Sequence, residues 1–335
     1  MTPPPRLDSN PISCAVIGGG MMGAGRLSAW GPRGYPQSHA QAYLESAKCE
    51  LSAIVEVDES RRCELKRRLP DSVKVYGEIE DLEELPYPPQ VICVSTPTVN
   101  HLHTVEQVVQ LRPSLMAIEK PVGRDVTEAR RIIELCEQQN IAFVPNYSRR
   151  YAKKLANLLA ELKAAKYGRI HTVHCIYSKG LRNNGAHLID MLLTVFGCIE
   201  VVSSQFVRSD DNHEDPDVAG VLLGDESTSV HLGVTDHRHY AVFECEFFCD
   251  EAAIRIQNLG HEIVYRFPEA SSTHPTYNVL GKPKTVKTDL ARALTHYVKL
   301  QEKMVLSKRK TFDTRQAERM INIHQVIDTL IGAGA

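Results

Sequence analysis

Short apolar runs alternate with amphipathic stretches through the first half of the chain. Segments 13–17, 51–57, 91–96, 115–118 and 141–144 read as buried strands. Between them lie stretches with helical spacing. The best defined is 125–139, where Asp125 and Glu128 make a capping-box-like start and Ile132, Ile133, Leu135 and Cys136 supply an apolar face. Strands separated by helices build a parallel sheet covered on both faces. Ligands of such sheets bind beyond the carboxyl ends of the strands.

The rhythm changes near residue 150. A helix at 151–166, a strand at 170–177 and a helix at 185–196 are followed by strands in succession at 201–207, 218–223, 228–234, 242–248, 252–257 and 262–267. Strands in a row imply an antiparallel or mixed sheet. In 242–248, Phe243, Cys245 and Phe247 share one face while Glu244 and Glu246 lie on the other, which leaves one face open to water or to a polar partner. Helices at 289–305 and 314–331 close the chain. The expected fold is α/β. A Rossmann doubly wound parallel sheet occupies 11–148, and an α/β domain with a large, mostly antiparallel open sheet occupies 149–335. A disordered tail, 1–10, precedes them.

Composition narrows the function classes. Of 335 residues, 43% are hydrophobic and 24% charged, which suits a globular protein with a full core. A formal charge of −2 gives no bulk attraction to nucleic acid or to a membrane. The nine cysteines include no C-x-x-C pair and no spacing suited to zinc, so they read as reduced thiols in a cytoplasmic protein. The polar, proline-rich first ten residues do not read as a signal peptide, and no apolar run reaches membrane-spanning length.

The first strand runs into Gly18-Gly19-Gly20-Met21-Met22-Gly23, a G-x-G-x-x-G turn. Gly18 permits the sharp turn, Gly20 lets backbone approach a pyrophosphate, and Gly23 lets the next helix pack close. That helix would present its N-terminus to the phosphates. The second strand ends at Glu56-Val57-Asp58, where an acid can accept from the adenosine ribose hydroxyls of NAD and repel the extra phosphate of NADP. Glu56 lies 33 residues after Gly23, against a usual gap of about 20. An insertion is therefore expected at 25–38, a Gly- and Pro-rich stretch with the only tryptophan. NAD is the expected cofactor, with NADP the second option.

Three further segments carry candidate chemistry. Ser95-Thr96-Pro97, with His101 shortly after, ends the third apolar strand and would place loop atoms over the cofactor. Glu119-Lys120-Pro121 ends the next, where a lysine can hold a developing alkoxide; its alternative is a surface lysine paired with Glu119. His187 opens a helix after the polar stretch Lys179–Asn184, and Asp190 falls on the same helix face. Imidazole titrates near neutrality and suits proton transfer to or from an alcohol.

Together the segments AVIGGGMMG, VSTPTVNHLHTV, AIEKPVGRDVTEAR, NYSRRY and NNGAHLID resemble the glucose–fructose oxidoreductase / inositol dehydrogenase (Gfo/Idh/MocA) family. The resemblance implies NAD(P)-dependent hydride transfer at a secondary alcohol or ketone of a sugar, cyclitol or related compound. It implies that Lys120 orients and activates the substrate hydroxyl and that His187 is the general acid/base. Gly18, Gly20, Met21, Met22, Gly23, Glu56, Ser95, Thr96, Pro97, His101, Glu119 and Lys120 would meet the cofactor. Asn183, Asn184, Lys179, Arg182 and Tyr147 would meet the substrate. Where the family has aspartate, this chain has Asn183, which binds a hydroxyl but takes no proton. Lys179, Arg182, Arg149, Arg150 and, in the insertion, Arg26, Arg33 and Tyr35 are candidates to meet an anionic group such as a phosphate, a nucleotide or a sugar acid. The family's open sheet implies a homodimer or homotetramer. No metal, nucleic-acid or membrane partner is expected. Two other readings are a reductase of a non-sugar, dihydrodiol-like substrate and a non-catalytic dinucleotide-binding regulator.

Overall fold

The computed structural model describes residues 11–25, 34–208, 215–225, 227–274, 276–307 and 312–334. The expected disordered tail and the centre of the expected insertion, with Arg26, Trp30 and Arg33, lie outside them. The chain forms two compact units, Met1–Ser148 with Arg292–Ile321, and Arg149–Ala291 with Asn322–Ala335. Segment 292–321, assigned by the sequence reading to the second domain, therefore packs with the first unit.

In the first unit, strands β1 (Ile12–Ile17), β2 (Cys49–Val55), β3 (Lys74–Tyr76), β4 (Val91–Val94), β5 (Leu115–Ile118) and β6 (Ala142–Pro145) form a parallel sheet in the order β3-β2-β1-β4-β5-β6. This is the doubly wound dinucleotide-binding order, and its switch point falls between β1 and β4. Buried apolar runs in β1, β2, β4, β5 and β6 explain why these strands are covered on both faces. Helices α1 (His39–Leu44), α2 (Glu59–Arg68), α3 (His101–Val108) and α4 (Val126–Gln138) follow in sequence. Asp125 caps α4 by accepting from Glu128 N–H at 2.9 Å, as the sequence predicts.

The helix expected directly after the glycine turn is split. Ala24 and Gly25 donate to Gly20 O, making one helical turn. The chain then leaves and returns at α1, where His39 N–H donates to Met22 O at 2.8 Å and Ala40 N–H to Gly23 O at 2.9 Å. The insertion thus interrupts one helix, whose hydrogen bonding resumes across the gap. Ser38 caps the second piece.

In the second unit, α5 (Lys153–Lys163) and α6 (Ala186–Phe196) pack together. The sheet contains β7 (Ile170–Ser178), β8 (Ile199–Arg208), β9 (Asp217–Gly224), β10 (Thr228–Thr235), β11 (Phe243–Cys249), β12 (Ala253–Gln257) and β13 (Glu262–Arg266). A small hairpin, β14 (Pro268–Ala270) with β15 (Asn278–Leu280), precedes the edge strand β16 (Lys284–Lys287). The large sheet runs β16-β13-β12-β11-β7-β10-β9-β8, and all its pairings are antiparallel except β7 with β10. On β11, Phe243, Cys245 and Phe247 are buried and Glu244 and Glu246 are half-buried, as the alternation predicts. Helix α7 (Ala293–Leu306) returns to the first unit and packs on α1 and β5, and α8 (Thr314–Ala333) ends the chain. Among the described residues, no helix is long and apolar enough to cross a membrane.

Candidate active site

The glycine turn has the geometry its spacing requires. Gly18 has φ +95°, and a side chain there would meet the backbone of Ser95 at 2.8 Å. A side chain at Gly23 would collide with Gly18 O, whereas one at Gly20 would meet nothing within 4 Å. The first and third glycines are thus required by the fold, and the second faces open space that a pyrophosphate can enter. This separates two outcomes. Gly20→Val is expected to leave the thermal midpoint unchanged while weakening NADH binding by at least roughly tenfold. Gly23→Ala is expected to lower the midpoint itself. Thermal melts with and without NADH check both.

Glu56 sits at the end of β2 beside this turn. Its Oε2 accepts from Gly19 N–H at 2.7 Å and its Oε1 from Asp58 N–H at 3.0 Å. Each oxygen retains acceptor capacity for a ribose hydroxyl. The neighbouring acid, Asp58, instead caps α2 through Arg61 N–H at 2.7 Å. Arg61 donates to Gly19 O at 3.0 and 3.1 Å and so braces the same turn. Met21 and Met22 are exposed on the turn. Ser95 and Thr96 are half-buried and Pro97 is exposed. The Ser95 hydroxyl is buried without a hydrogen-bond partner among the described residues. The amide oxygen of Asn146, after β6, is in the same state. An open cradle at Gly20 and two orphaned polar atoms at strand ends fit a bound dinucleotide. His101, expected at the cofactor, is buried and stands between Thr96 O (2.9 Å) and Val122 O (3.1 Å), so it ties two site loops together. Burial lowers its pKa.

Lys120 follows β5 and is half-buried. Its neighbour Glu119 is buried and engaged below it. Glu119 Oε1 accepts from Asn146 Nδ2 at 2.6 Å and lies 2.7 Å from His39 Nε2. Burial would raise the Glu119 pKa, but the His39 hydrogen bond and charge, with the Asn146 amide, lower it on balance. Burial would likewise lower the His39 pKa, but the Cys93 sulfur and the Glu119 carboxylate raise it to about 10. The pair is therefore an imidazolium–carboxylate ion pair near neutrality. Tyr297 of α7 flanks His39, with ring centroids 5.8 Å apart, and bonds Val144 O at 2.7 Å. Glu119 is thus held by the core, and the adjacent Lys120 charge also lowers its pKa. Tyr147, expected at the substrate, has no exposed surface.

In the second unit, β7 ends at Lys179 (φ +69°) and Gly180 (φ +80°), two successive left-handed residues, and a wide π-type turn spans Gly180–Gly185. Such turns and strained residues concentrate at functional sites. Asp215 accepts from the backbone N–H groups of Arg182 (2.6 Å) and Asn183 (2.9 Å), and Asp217 accepts from Gly180 N–H (2.9 Å). The asparagines do not cap α6. Asn184 Nδ2 donates to Ser178 O at 2.9 Å, which fastens the turn to the strand, and Asn183 is half-buried. His187 lies in the first turn of α6, 5% exposed, with its ring edge-on to Phe243 at 6.4 Å.

The basic candidates divide sharply. Arg182 pairs with Asp328 at 2.8 Å. Arg150 grips Asp190 in a bidentate pair, Nε to both oxygens at 2.9 Å and Nη2 to Oδ1 at 2.5 Å. Asp190 is therefore the counter-charge of Arg150. Arg149 stacks its guanidinium 3.7 Å from the centre of the Phe243 ring. Its Nε is buried without a hydrogen-bond partner, and among the described residues no acid pairs with it. Burial lowers its pKa to about 9, which leaves it cationic at neutral pH. A cation on a phenyl face gains about 0.5–2 kcal/mol, whereas taking a charge out of water costs several. Sequence reasoning singled out neither His39 nor Asn146. Asn146 falls within the NYSRRY motif, while nothing in the local pattern marks His39.

A doubly wound sheet, an open glycine cradle at its switch point and a ribose-side acid define a Rossmann dinucleotide-binding protein. Residues 12–147 match the Gfo/Idh/MocA model, which describes an oxidoreductase family with an NAD-binding Rossmann fold. The rhizopine catabolism protein MocA of Rhizobium meliloti is 27% identical over 156 residues, 47% of this chain and 45% of that relative's own length. Two solved structures share the fold over nearly the whole chain. KijD10, a 3-ketoreductase from Actinomadura kijaniata in complex with NADP and TDP-benzene, is 14% identical, covers 97% of this chain and 98% of its own, and has a TM-score of 0.75. Levoglucosan dehydrogenase in complex with NADH is 14% identical, covers 96% of each chain and has a TM-score of 0.76.

Proposed function

We propose that the protein is an NAD-dependent oxidoreductase acting on a secondary alcohol or ketone of a sugar, cyclitol or sugar derivative. The observation that carries this reading is the His39–Glu119–Asn146 clamp, which fixes the backbone before Lys120 at a strand end of the dinucleotide sheet. The two solved structures named above, a 3-ketoreductase and a levoglucosan dehydrogenase by their descriptions, support it. When bound, the nicotinamide accepts or returns the hydride.

The chain's own residues do the rest. The Lys120 ammonium donates to the substrate oxygen and stabilises the negative charge that grows on it. His187 takes the hydroxyl proton in oxidation and returns it in reduction. Asn183 hydrogen-bonds a neighbouring hydroxyl without exchanging a proton. Glu56 receives the ribose hydroxyls and disfavours NADP, since a second anion beside a carboxylate is repelled. Self-association through the open face of the eight-stranded sheet belongs to the same reading.

A panel of sugars, cyclitols and sugar derivatives, followed by reduced-nicotinamide absorbance, tests the proposal. At least one polyol is expected to be oxidised, with NAD favoured over NADP by roughly tenfold or more. NADH binding with no turnover of any polyol or ketone would overturn it in favour of a regulator.

A further inference from the structure

We propose that Arg149 binds an oxyanion on the substrate, so that the preferred substrate is a sugar or polyol carrying a carboxylate or phosphate. The inference deepens the reading above and rests on it. Three observations support it. Arg149 is half-buried and its Nε is buried with no hydrogen-bond partner, yet among the described residues no acid neutralises it. The neighbouring arginines show that this fold supplies an acid where an arginine is structural: Arg150 has Asp190 and Arg182 has Asp328. An arginine left without one keeps its planar donor fork for a ligand.

The position selects the substrate as that ligand. Arg149 and His187 meet the same Phe243 ring, the guanidinium 3.7 Å from its centre and the imidazole edge-on at 6.4 Å. A small polyol acid or phosphate is long enough to reach from one to the other. The phosphates of the dinucleotide have their own place at the open Gly20 cradle. Phe243 therefore has two functions: it supports the cation on its face and fixes the distance from the anion to the proton-exchanging ring. Lys179, exposed at the end of β7 and in no ion pair among the described residues, adds positive charge at the end of the strand that pairs with β11.

The test compares gluconate, a hexose phosphate and glucose as substrates with NAD, using the full-length protein and the variants Arg149→Gln and Arg149→Lys. In the natural protein, kcat/KM is expected to favour one anionic substrate over glucose. Arg149→Gln is expected to reduce that preference by about 10- to 100-fold, mainly through KM, because a charged hydrogen bond to the substrate is lost. Arg149→Lys is expected to restore part of it. Equal losses on charged and neutral substrates, or no preference in the natural protein, overturn the proposal.

A second measurement keeps this question separate from that of turnover. Gluconate and inorganic phosphate are expected to raise the thermal midpoint of the natural protein and of Arg149→Lys, but not of Arg149→Gln. If none of the three compounds turns over, that midpoint shift alone decides whether Arg149 is an oxyanion site. Absence of the shift in the natural protein overturns the site, whereas its presence without turnover of any polyol counts against the oxidoreductase reading only.

Discussion

Replacing His187 with alanine is expected to lower turnover by about 10²–10⁴-fold, the usual contribution of a positioned acid or base. NADH binding is expected to stay within about twofold of the natural protein, because His187 belongs to the unit that lacks the glycine turn. Lys120→Ala is expected to lose rate comparably. Steady-state rates at saturating NAD, together with NADH fluorescence titration, separate chemistry from binding. Unchanged turnover in His187→Ala would remove the proposed proton path.

The second large effect is on stability. His39→Ala leaves the buried Glu119 carboxylate without its counter-charge, and breaking a buried pair in this way costs about 3–5 kcal/mol. The pH dependence has a definite sign. The folded His39 pKa, about 10, lies above the ordinary value of 6.5, so the stabilisation is fully present below the ordinary value and is lost as pH rises through the folded one. The folded Glu119 pKa is depressed, so its share is present above the ordinary carboxylate range and is lost as pH falls through the folded value. The gap in thermal midpoint between the natural protein and His39→Ala is therefore expected to be widest near neutrality and to close toward pH 10. A gap that does not change with pH would show that His39 acts by packing alone.

Much of this arrangement is legible in the sequence because it is local. The glycine spacing, the Asp125 cap and the apolar runs of β1, β4 and β5 each need only a few adjacent residues. The strands that escaped notice are short and polar: β3 is Lys-Val-Tyr, and β16 carries a lysine at each end. Such edge segments lack the apolar run that marks a buried strand. The expected helix after the glycine turn was correct in kind, but its two pieces are joined by hydrogen bonds across the insertion, which periodicity cannot register. Helix α7 shows another limit, since an apolar face reveals that a helix packs but not on which sheet.

The site divides in the same way. Lys120 and His187 stand in motifs, whereas the residue that holds Glu119 ionised is His39, 80 positions away, with no pattern linking the two. Arg149 and Arg150 are identical neighbours in sequence, yet one is matched to an acid and the other rests on a phenyl ring. Only tertiary structure distinguishes them, because the acid that decides the matter lies 40 residues from Arg150.

The claim beneath all of this is that the carbon-bound hydrogen of a polyol passes directly to the nicotinamide. The most direct measurement uses polyols from the same panel carrying deuterium on the secondary alcohol carbons, with NAD, and reads the mass of the reduced dinucleotide. The account predicts a product heavier by one deuterium, formed by the natural protein and strongly diminished in both Lys120→Ala and His187→Ala. Reduced dinucleotide without deuterium, or label transfer undiminished in the two variants, would contradict it.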